Sequence, residues 1–182
     1  MNNGIQIIYP RTEYATLNQE IFSVLEKEIF RFMNMAKEPI QENFTYTLDV
    51  SHDEYSYQNY LSVVLYVSSY TGGAHPSHSI LSIVYDKNLD RIVTMEDLFL
   101  EQEDLLSILS RESRRVLSKN LGVVDQNMML EGTKPILSNF SIFAFAPTGI
   151  MVFFPEYQVA PYSSGAFKVV VPYREIFHNK KD

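Results

Sequence analysis

Apolar residues recur at helical spacing near the start of the chain. Between Thr16 and Lys37 they fall three or four positions apart, which predicts an amphipathic helix. Thr16 with Gln19 matches a capping box at the start of this helix, and Pro39 is expected to end it. A short apolar run from Ile5 to Tyr9 predicts a strand before the helix.

Strand patterns follow this helix. Residues Asn43 to Val50 alternate between apolar and polar side chains, which predicts a half-buried strand. Ser51 to Asn59 is polar and is expected to form a hairpin loop. Tyr60 to Tyr70 is apolar on both faces in its middle, so we expect a central strand. Two further strands are predicted at Ser79 to Tyr85 and at Arg91 to Val93.

The second half begins with another helix signal and ends in strands. Thr94 with Asp97 predicts a capped helical turn, and Glu101 to Leu121 predicts the second long helix, closed by Gly122. Val123 to Pro135 is expected to be an irregular loop. The remaining predicted elements are strands at Leu137 to Ala146, Ile150 to Phe154 and Phe167 to Val171, with a helical turn at Tyr173 to Phe177.

The order of these elements predicts the fold class. Each half resembles β-α-β-β-β, and consecutive strands favour antiparallel pairing with helices packed on the sheet. We therefore expect an α+β fold, a mostly antiparallel sheet carrying two long helices. No linker or change of composition separates residues 1–90 from 91–182, so we expect residues 1–182 to form a single domain.

Charge and composition exclude several functions. The chain has 182 residues and a net charge of −7, and an acidic surface disfavours nucleic-acid binding. It has no cysteine, which excludes disulfides and thiolate sites. No apolar run is long enough to span a membrane. The residues from Met1 to Gln6 lack a signal-peptide pattern, so we expect either a cytoplasmic protein or a signal or anchor outside this sequence.

Two glycines and a histidine follow the central strand and form the first candidate site. Gly72 and Gly73 permit positive φ, and Pro76 holds His75 in an extended conformation. With Tyr70, these residues would present a histidine and an aromatic ring to a ligand from a rigid loop. The alternative is a tight turn in which the histidine makes only a structural hydrogen bond.

Catalytic or metal-binding use of this loop is the second hypothesis. His75 and His78 lie three residues apart and could form half of a metal site, helped by His52, Asp49 or Asp53. No third ligand has convincing spacing, and no Gly-x-Ser-x-Gly motif is present. We therefore predict no metal, no cofactor and no catalytic residue, and keep a hydrolase or metal-dependent enzyme using His75 as the alternative.

The second candidate site is the segment from Phe153 to Gly165. Tyr157 and Tyr162 flank Pro161 in a loop that proline and glycine stiffen. A stiff aromatic loop loses little entropy on binding, so these tyrosines would suit a protein or carbohydrate surface. In the alternative interpretation both rings only cover the core and the sheet edge.

These motifs resemble a family of domains of unknown function. The segments that carry the resemblance are Gly72 to His75, Met95 to Phe99, Phe154 to Gly165 and Val169 to Tyr173, and Ile8 to Pro10 fits the family's opening. The family is similar to the extracytoplasmic domain of the lysozyme-sensing anti-sigma factor RsiV. It is also similar to the non-catalytic N-terminal domain of peptidoglycan deacetylases.

The resemblance implies a non-catalytic domain that acts in the cell envelope. Its expected partner is a protein of the cell wall, such as a lysozyme-like protein, or a cell-wall glycan, and its expected location is extracytoplasmic. The sequence contains no membrane anchor, sigma-binding segment or deacetylase domain, so signalling and deacetylation are not carried over. A homodimer formed through the sheet edge or the tyrosine loop is a third possibility, and the oligomeric state is left open.

Overall fold

The computed structural model describes residues 4–36, 45–72, 74–120 and 126–177. These residues form eight strands and five α-helices. The first group is β1 (Gly4–Ile7), α1 (Ala15–Met35), β2 (Thr47–Tyr57), β3 (Tyr60–Tyr70), β4 (Ser77–Asp86) and β5 (Arg91–Val93). The second group is α2 (Met95–Glu101), α3 (Leu105–Asn120), α4 (Gln126–Gly132), β6 (Phe143–Ala146), β7 (Gly149–Phe154), β8 (Phe167–Pro172) and α5 (Tyr173–Phe177).

The strands form two sheets. The first has five strands in the order β1-β2-β3-β4-β5, and the second has three in the order β6-β7-β8. Only β1 with β2 is a parallel pair among the described strands, and β3 is central as predicted. The α+β class with mostly antiparallel strands is confirmed. The second half differs in detail, since three helices separate β5 from β6.

The elements stack in four layers. Helix α1 packs on one face of the first sheet, where Leu17, Ile21 and Leu65 are almost fully buried. The other face of that sheet meets the second sheet, with Val64 against Phe153. Helices α2 to α5 cover the outer face of the second sheet through a further apolar core. Burial of these apolar faces supplies the main drive to fold.

Two serines join the sheets. β6 is an edge strand of the second sheet, so the outward N–H groups of that strand need partners. The N–H of Phe143 donates to the Ser82 hydroxyl at 3.0 Å, and the N–H of Phe145 donates to the Ser62 hydroxyl at 3.0 Å. The first sheet thereby satisfies donors that would otherwise be buried without a partner.

Strand β2 continues through the segment where the sequence predicts a loop. The prediction of a hairpin loop at Ser51 to Asn59 is wrong, because β2 pairs residue by residue with β3 as far as Tyr57 opposite Tyr60. The turn is made by Gln58, at φ 52°, and Asn59. Cross-strand pairing with a buried neighbour outweighs the weak strand propensity of the polar side chains.

The two predicted capping boxes have opposite outcomes. The box at Thr94 and Asp97 is confirmed, with the Asp97 N–H donating to the Thr94 hydroxyl and the Thr94 N–H to the Asp97 carboxylate. The box at Thr16 is wrong, because α1 begins at Ala15 and its N-cap residue makes no side-chain cap. The hydroxyl of Thr16 hydrogen-bonds to Asp90 instead.

The helices of the second half also depart from the prediction. The long helix α3 begins at Leu105, and the preceding residues belong to α2 and a short connection. The loop predicted at Val123 to Pro135 is wrong for Gln126–Gly132, which form α4. Pro39 and Gly122, the expected helix stops, lie outside the described residues. Within the described ranges, no helix has the length and apolarity needed to cross a membrane.

Candidate functional site

The two motifs found in the sequence meet in space through Tyr162. Its ring stacks on His75 with the centroids 4.2 Å apart, and its hydroxyl donates to the Pro76 carbonyl at 3.1 Å. Tyr157 lies beside it, with the ring centroids 5.6 Å apart. The structure therefore brings together three of the six predicted site residues, His75, Tyr157 and Tyr162.

Two further side chains complete this group. His78 Nδ1 donates to Glu156 Oε1 at 3.0 Å, and the His78 ring lies parallel to Tyr162 at 6.4 Å. Nδ1 of His75 donates to the Pro76 carbonyl at 2.9 Å. We call His75, His78, Glu156, Tyr157 and Tyr162 the His–Tyr cluster.

The loop that carries the tyrosines is fixed at its base. The Gln158 carboxamide donates to the carbonyls of Gly132 at 2.9 Å and Asn139 at 3.0 Å. Val159 and Ala160, the next two residues, are each only 1% exposed. A Cβ atom at Gly132 would lie 1.9 Å from the Gln158 carbonyl oxygen, so glycine is required for this close approach. The tyrosines therefore project from a loop with a buried anchor.

The backbone turns sharply on either side of this anchor. Tyr157 has φ 68°, in the left-handed region, and its side chain is 62% exposed. Gly165 has φ 72° and closes the loop before β8. Between them, the N–H of Ser164 donates to the Pro161 carbonyl, which forms a short 3-10 turn at Tyr162.

Local electrostatics keep the Tyr162 hydroxyl protonated. Burial, followed by the negative charge of Glu156 and the neighbouring Tyr157, raises the pKa of Tyr162. The hydroxyl therefore remains a donor to Pro76 at physiological pH. The cluster offers the exposed ring of Tyr157, the half-buried ring of Tyr162, two imidazole groups and one carboxylate, which is a set suited to contact with a partner surface.

Two of the other predicted site residues, Tyr70 and Gly72, lie where β3 ends, ahead of His75. Tyr70 is half-buried at the end of β3, opposite Thr47 in register. Gly72 has φ 90°, as expected for a glycine that lets the chain turn after β3. Gly73 lies outside the described residues.

A cleft of about 460 Å³ opens beside the cluster. His78 and Glu156 form one part of its wall, and strand residues that include Asp49, Ser51 and Tyr66 form the rest. The Tyr66 hydroxyl donates to Asp53 Oδ2 at 3.0 Å. Burial, and then this bond, raise the pKa of Tyr66. The cleft therefore presents carboxylates and hydroxyl groups next to the aromatic surface.

The histidines considered as metal ligands each contact a different partner. Nδ1 of His52 lies 3.2 Å from the Ile8 carbonyl and its Nε2 lies 3.5 Å from Glu54, on β2. His75 and His78 point Nδ1 at a carbonyl and at a carboxylate, respectively. In the part of the chain that the structure describes, no three His, Asp or Glu side chains come together to hold a metal.

Sequence reasoning missed three features of this site. Glu156 was not singled out, His78 was considered only as a metal ligand, and Gln158 was not considered at all. Glu156 and Gln158 flank Tyr157 in the sequence. A carboxylate and an amide on either side of a predicted site tyrosine were the signal that could have identified them. Their partners, His78 and Gly132, are far away in sequence and give no local pattern.

The fold and this surface define a four-layer α+β domain with an aromatic loop cluster at one end. The chain matches the sequence model of the deacetylase PdaC family over residues 2–78. It matches the model of a family described as protein of unknown function DUF3298 over residues 96–174. The predicted resemblance to a domain-of-unknown-function family and to peptidoglycan deacetylases is confirmed. The resemblance to RsiV stays a prediction.

Similar proteins of known sequence come from several bacteria. The chain is 30% identical over 157 residues to the peptidoglycan-N-acetylmuramic acid deacetylase PdaC of Bacillus subtilis, a match covering 84% of this chain and 33% of that protein. It is 24% identical to the immunogenic protein MPT64 of Mycobacterium tuberculosis, over 78% of this chain and 63% of that one. The chain thus spans about a third of the length of PdaC and just under two thirds of the length of MPT64.

Two solved structures share the fold. A DUF3298 family protein from Pseudomonas aeruginosa superposes with a TM-score of 0.63 at 17% identity, covering 83% of this chain and 66% of that chain. A family member from Bacteroides fragilis gives a TM-score of 0.58 at 18% identity, covering 86% and 62%. At these identities the likeness concerns the fold.

Proposed function

We propose that this protein is a non-catalytic binding domain of the cell envelope that docks its partner on the His–Tyr cluster. The observation that carries the proposal is Tyr157, which is 62% exposed on a loop with a buried anchor. Similarity to a peptidoglycan deacetylase supports a role at the cell wall and an extracytoplasmic location. MPT64, a second relative, is named only as an immunogenic protein.

A protein is the partner that the cluster fits best. Exposed tyrosines on a rigid loop bury a large area while losing few side-chain rotamers, as in other recognition loops. The chain carries a net charge of −7, so a basic partner would be attracted and steered to it. A lysozyme-like protein is therefore the first candidate.

A cell-wall glycan is the second candidate, and the cleft beside the cluster favours it. Sugar rings pack on aromatic side chains, and their hydroxyl groups need donors and acceptors nearby. The cleft of about 460 Å³ supplies Glu156, Asp49 and Ser51 within reach of the cluster. This volume lies in the range of small-ligand sites, roughly 300–1,000 Å³.

Catalysis with His75 is the less favoured alternative. The groups of the cluster capable of acid–base chemistry are engaged in structural contacts: His75 and Tyr162 with the Pro76 carbonyl, and His78 with Glu156. The deacetylase relative matches this chain over only 33% of its own length. We therefore assign the deacetylase activity named for that relative to no residue of this chain.

Calorimetry with lysozyme and with soluble peptidoglycan fragments tests the binding role. Wild-type protein is expected to bind one of them, and Tyr157→Ala is expected to weaken binding by about tenfold or more, as at a central interface residue. Phe30→Ala is the matched control, since Phe30 is 69% exposed on α1. Absence of binding to both partners, or equal loss in the control, would contradict the proposal.

A parallel assay addresses the alternative. Wild type and His75→Ala are incubated with N-acetylated peptidoglycan fragments, and released acetate and cleaved glycan are measured. We expect no product above buffer from either protein. Product formation that depends on His75 would overturn the non-catalytic assignment.

A further inference from the structure

A second cleft, of about 320 Å³, lies at the other end of the first sheet. It is enclosed by the turn between β2 and β3, by the junction of α2 and α3, and by α5. Strand β3 has eleven residues, so at about 3.3 Å per residue its two ends lie about 33 Å apart. This cleft is therefore separate from the His–Tyr cluster.

Five aromatic rings lie in its wall. Tyr57 stacks on Tyr173 with the centroids 4.1 Å apart, and Tyr60 stacks on Phe145 at 4.0 Å. Phe177 continues the first stack, parallel to Tyr173 at 6.0 Å. All five rings line the same cleft. We call them the ring stacks.

The ring stacks are held in place by hydrogen bonds at their edges. The Tyr173 hydroxyl donates to the Ala146 carbonyl at 2.8 Å. The Gln102 carboxamide donates to the Ile176 carbonyl at 2.6 Å, which ties α5 to the start of α3. Gln58 donates to the Tyr57 hydroxyl at 3.1 Å. The cleft is therefore built before any ligand arrives, which lowers the entropy lost on binding.

The charge around this cleft is negative. Its described lining includes the carboxylate of Glu101 and no lysine, arginine or histidine. Arg91, the nearby cation, is bound to Asp97 at 2.8 Å. Burial first, and then the charges of Asp86 and Glu101, raise the pKa of Tyr60, while Arg91 and a hydrogen bond with Asn59 act in the opposite direction.

We propose that the ring stacks and Glu101 form a binding site for a small organic ammonium ion. The faces of aromatic rings carry negative charge density and attract cations within about 6 Å of the ring centroid. The carboxylate of Glu101 at the rim adds charge attraction for a cation and disfavours an anion. The volume of about 320 Å³ accommodates a ligand of the size of choline.

Titration with choline, followed by NMR of the full chain, tests the site. The neutral isostere 3,3-dimethylbutan-1-ol has the same shape without the charge and serves as the ligand control. We expect choline to shift the resonances of Tyr57, Tyr60 and Phe177, and to bind at least roughly threefold more tightly than the isostere, as cation–aromatic attraction at a partly exposed site predicts.

Matched variants locate the interaction. Glu101→Gln and Phe177→Leu should each weaken choline binding by at least roughly twofold. Glu103→Gln, an exposed carboxylate two residues away, and Phe22→Leu, a similarly exposed ring on α1, should leave it unchanged. Circular dichroism of each variant checks that the fold is retained.

Three outcomes would overturn the proposal. The first is that the isostere binds as tightly as choline, which would mean that the cleft recognises the shape of the ligand and not its charge. The second is choline binding that neither Glu101→Gln nor Phe177→Leu weakens. The third is that choline produces no shifts at the ring stacks. None of these outcomes bears on the His–Tyr cluster, so the two proposals fail independently.

Discussion

Two aromatic groups occupy opposite ends of the first sheet, and they are built in different ways. The His–Tyr cluster lies mainly on loops, where the Tyr162 hydroxyl donates to a backbone carbonyl and Tyr157 faces solvent. The ring stacks lie on strands and short helices, where Tyr57 and Tyr60 each pack face to face against another ring. One group is a projecting surface and the other lines a recess.

The difference shows how placement decides what an aromatic residue can bind. Rings on an anchored, exposed loop can contact a large partner without rearrangement of the core. Rings enclosed by secondary structure admit only a ligand that fits the space between them. Our two proposals therefore give the same residue type different roles, docking of a macromolecule at one end and binding of a small ligand at the other.

The largest effect is expected from Gly132→Ala, which breaks the anchor of the cluster loop. The new Cβ would lie 1.9 Å from the Gln158 carbonyl oxygen, in a buried site. Overpacking of this kind destabilises by about 3 kcal/mol, which urea denaturation will measure. Gly4→Ala is the control, since its Cβ would meet Thr47 at an ordinary 3.7 Å. Equal stability of the two variants would contradict the anchored-loop description.

A smaller effect on stability is expected when one tyrosine hydroxyl is removed at either end of the first sheet. Tyr173→Phe leaves the Ala146 carbonyl, at a buried residue, without this donor and should cost about 1 to 2 kcal/mol. Tyr162→Phe removes a bond to Pro76 in an exposed turn, where water replaces the donor, and should cost less than about 0.5 kcal/mol. Thermal unfolding of both variants checks this order, and a reversed order would show that the cluster is the more rigid end.

The smallest effect concerns acid stability at the ring stacks, because α2 forms part of the cleft wall. Bonds from Arg91 and from Thr94 lower the pKa of Asp97 from 3.8 to about 2. The native state therefore binds this proton less readily than the unfolded state, and stability should fall as the pH drops from about 4 to 2. Asp97→Asn should reduce this fall and lower stability at neutral pH by about 0.5 kcal/mol, because the Arg91 and Asp97 side chains are both partly exposed to solvent.

Urea midpoints measured from pH 7 down to pH 2 test this effect. Glu96→Gln, at the neighbouring exposed position, is the control and should keep the wild-type pH profile. A wild-type profile in Asp97→Asn would mean that the ion pair with Arg91 contributes nothing measurable, as for many exposed pairs.

Much of the fold could be predicted because burial leaves a regular mark on the sequence. Helix α1 and strand β3 each show their apolar spacing clearly. The second part of β2 could not be predicted, because its polar residues adopt strand geometry only through pairing with β3. Helix α4 was also missed, since it is one of the short elements and ends in Gly132.

The candidate site was predicted as two separate loops. Glycine and proline marked each loop, and Tyr162 and His75 were both identified from their neighbours. Their contact could not be predicted, because the bond from Tyr162 to Pro76 joins residues 86 positions apart. The ring stacks were missed for a different reason: Tyr57 was assigned to the predicted hairpin loop, and Tyr60 lies in a strand, where aromatic residues are common.

The left-handed backbone conformation of Tyr157 lowers the stability of the protein, and the same residue supplies an exposed ring. A non-glycine residue at φ 68° raises the energy of the folded state by roughly 1 to 3 kcal/mol. Glycine at this position would relieve that energy and remove the most exposed ring of the cluster. If the cluster binds a partner as proposed, selection for thermal stability alone would therefore favour a chain that survives heating better and binds that partner less tightly.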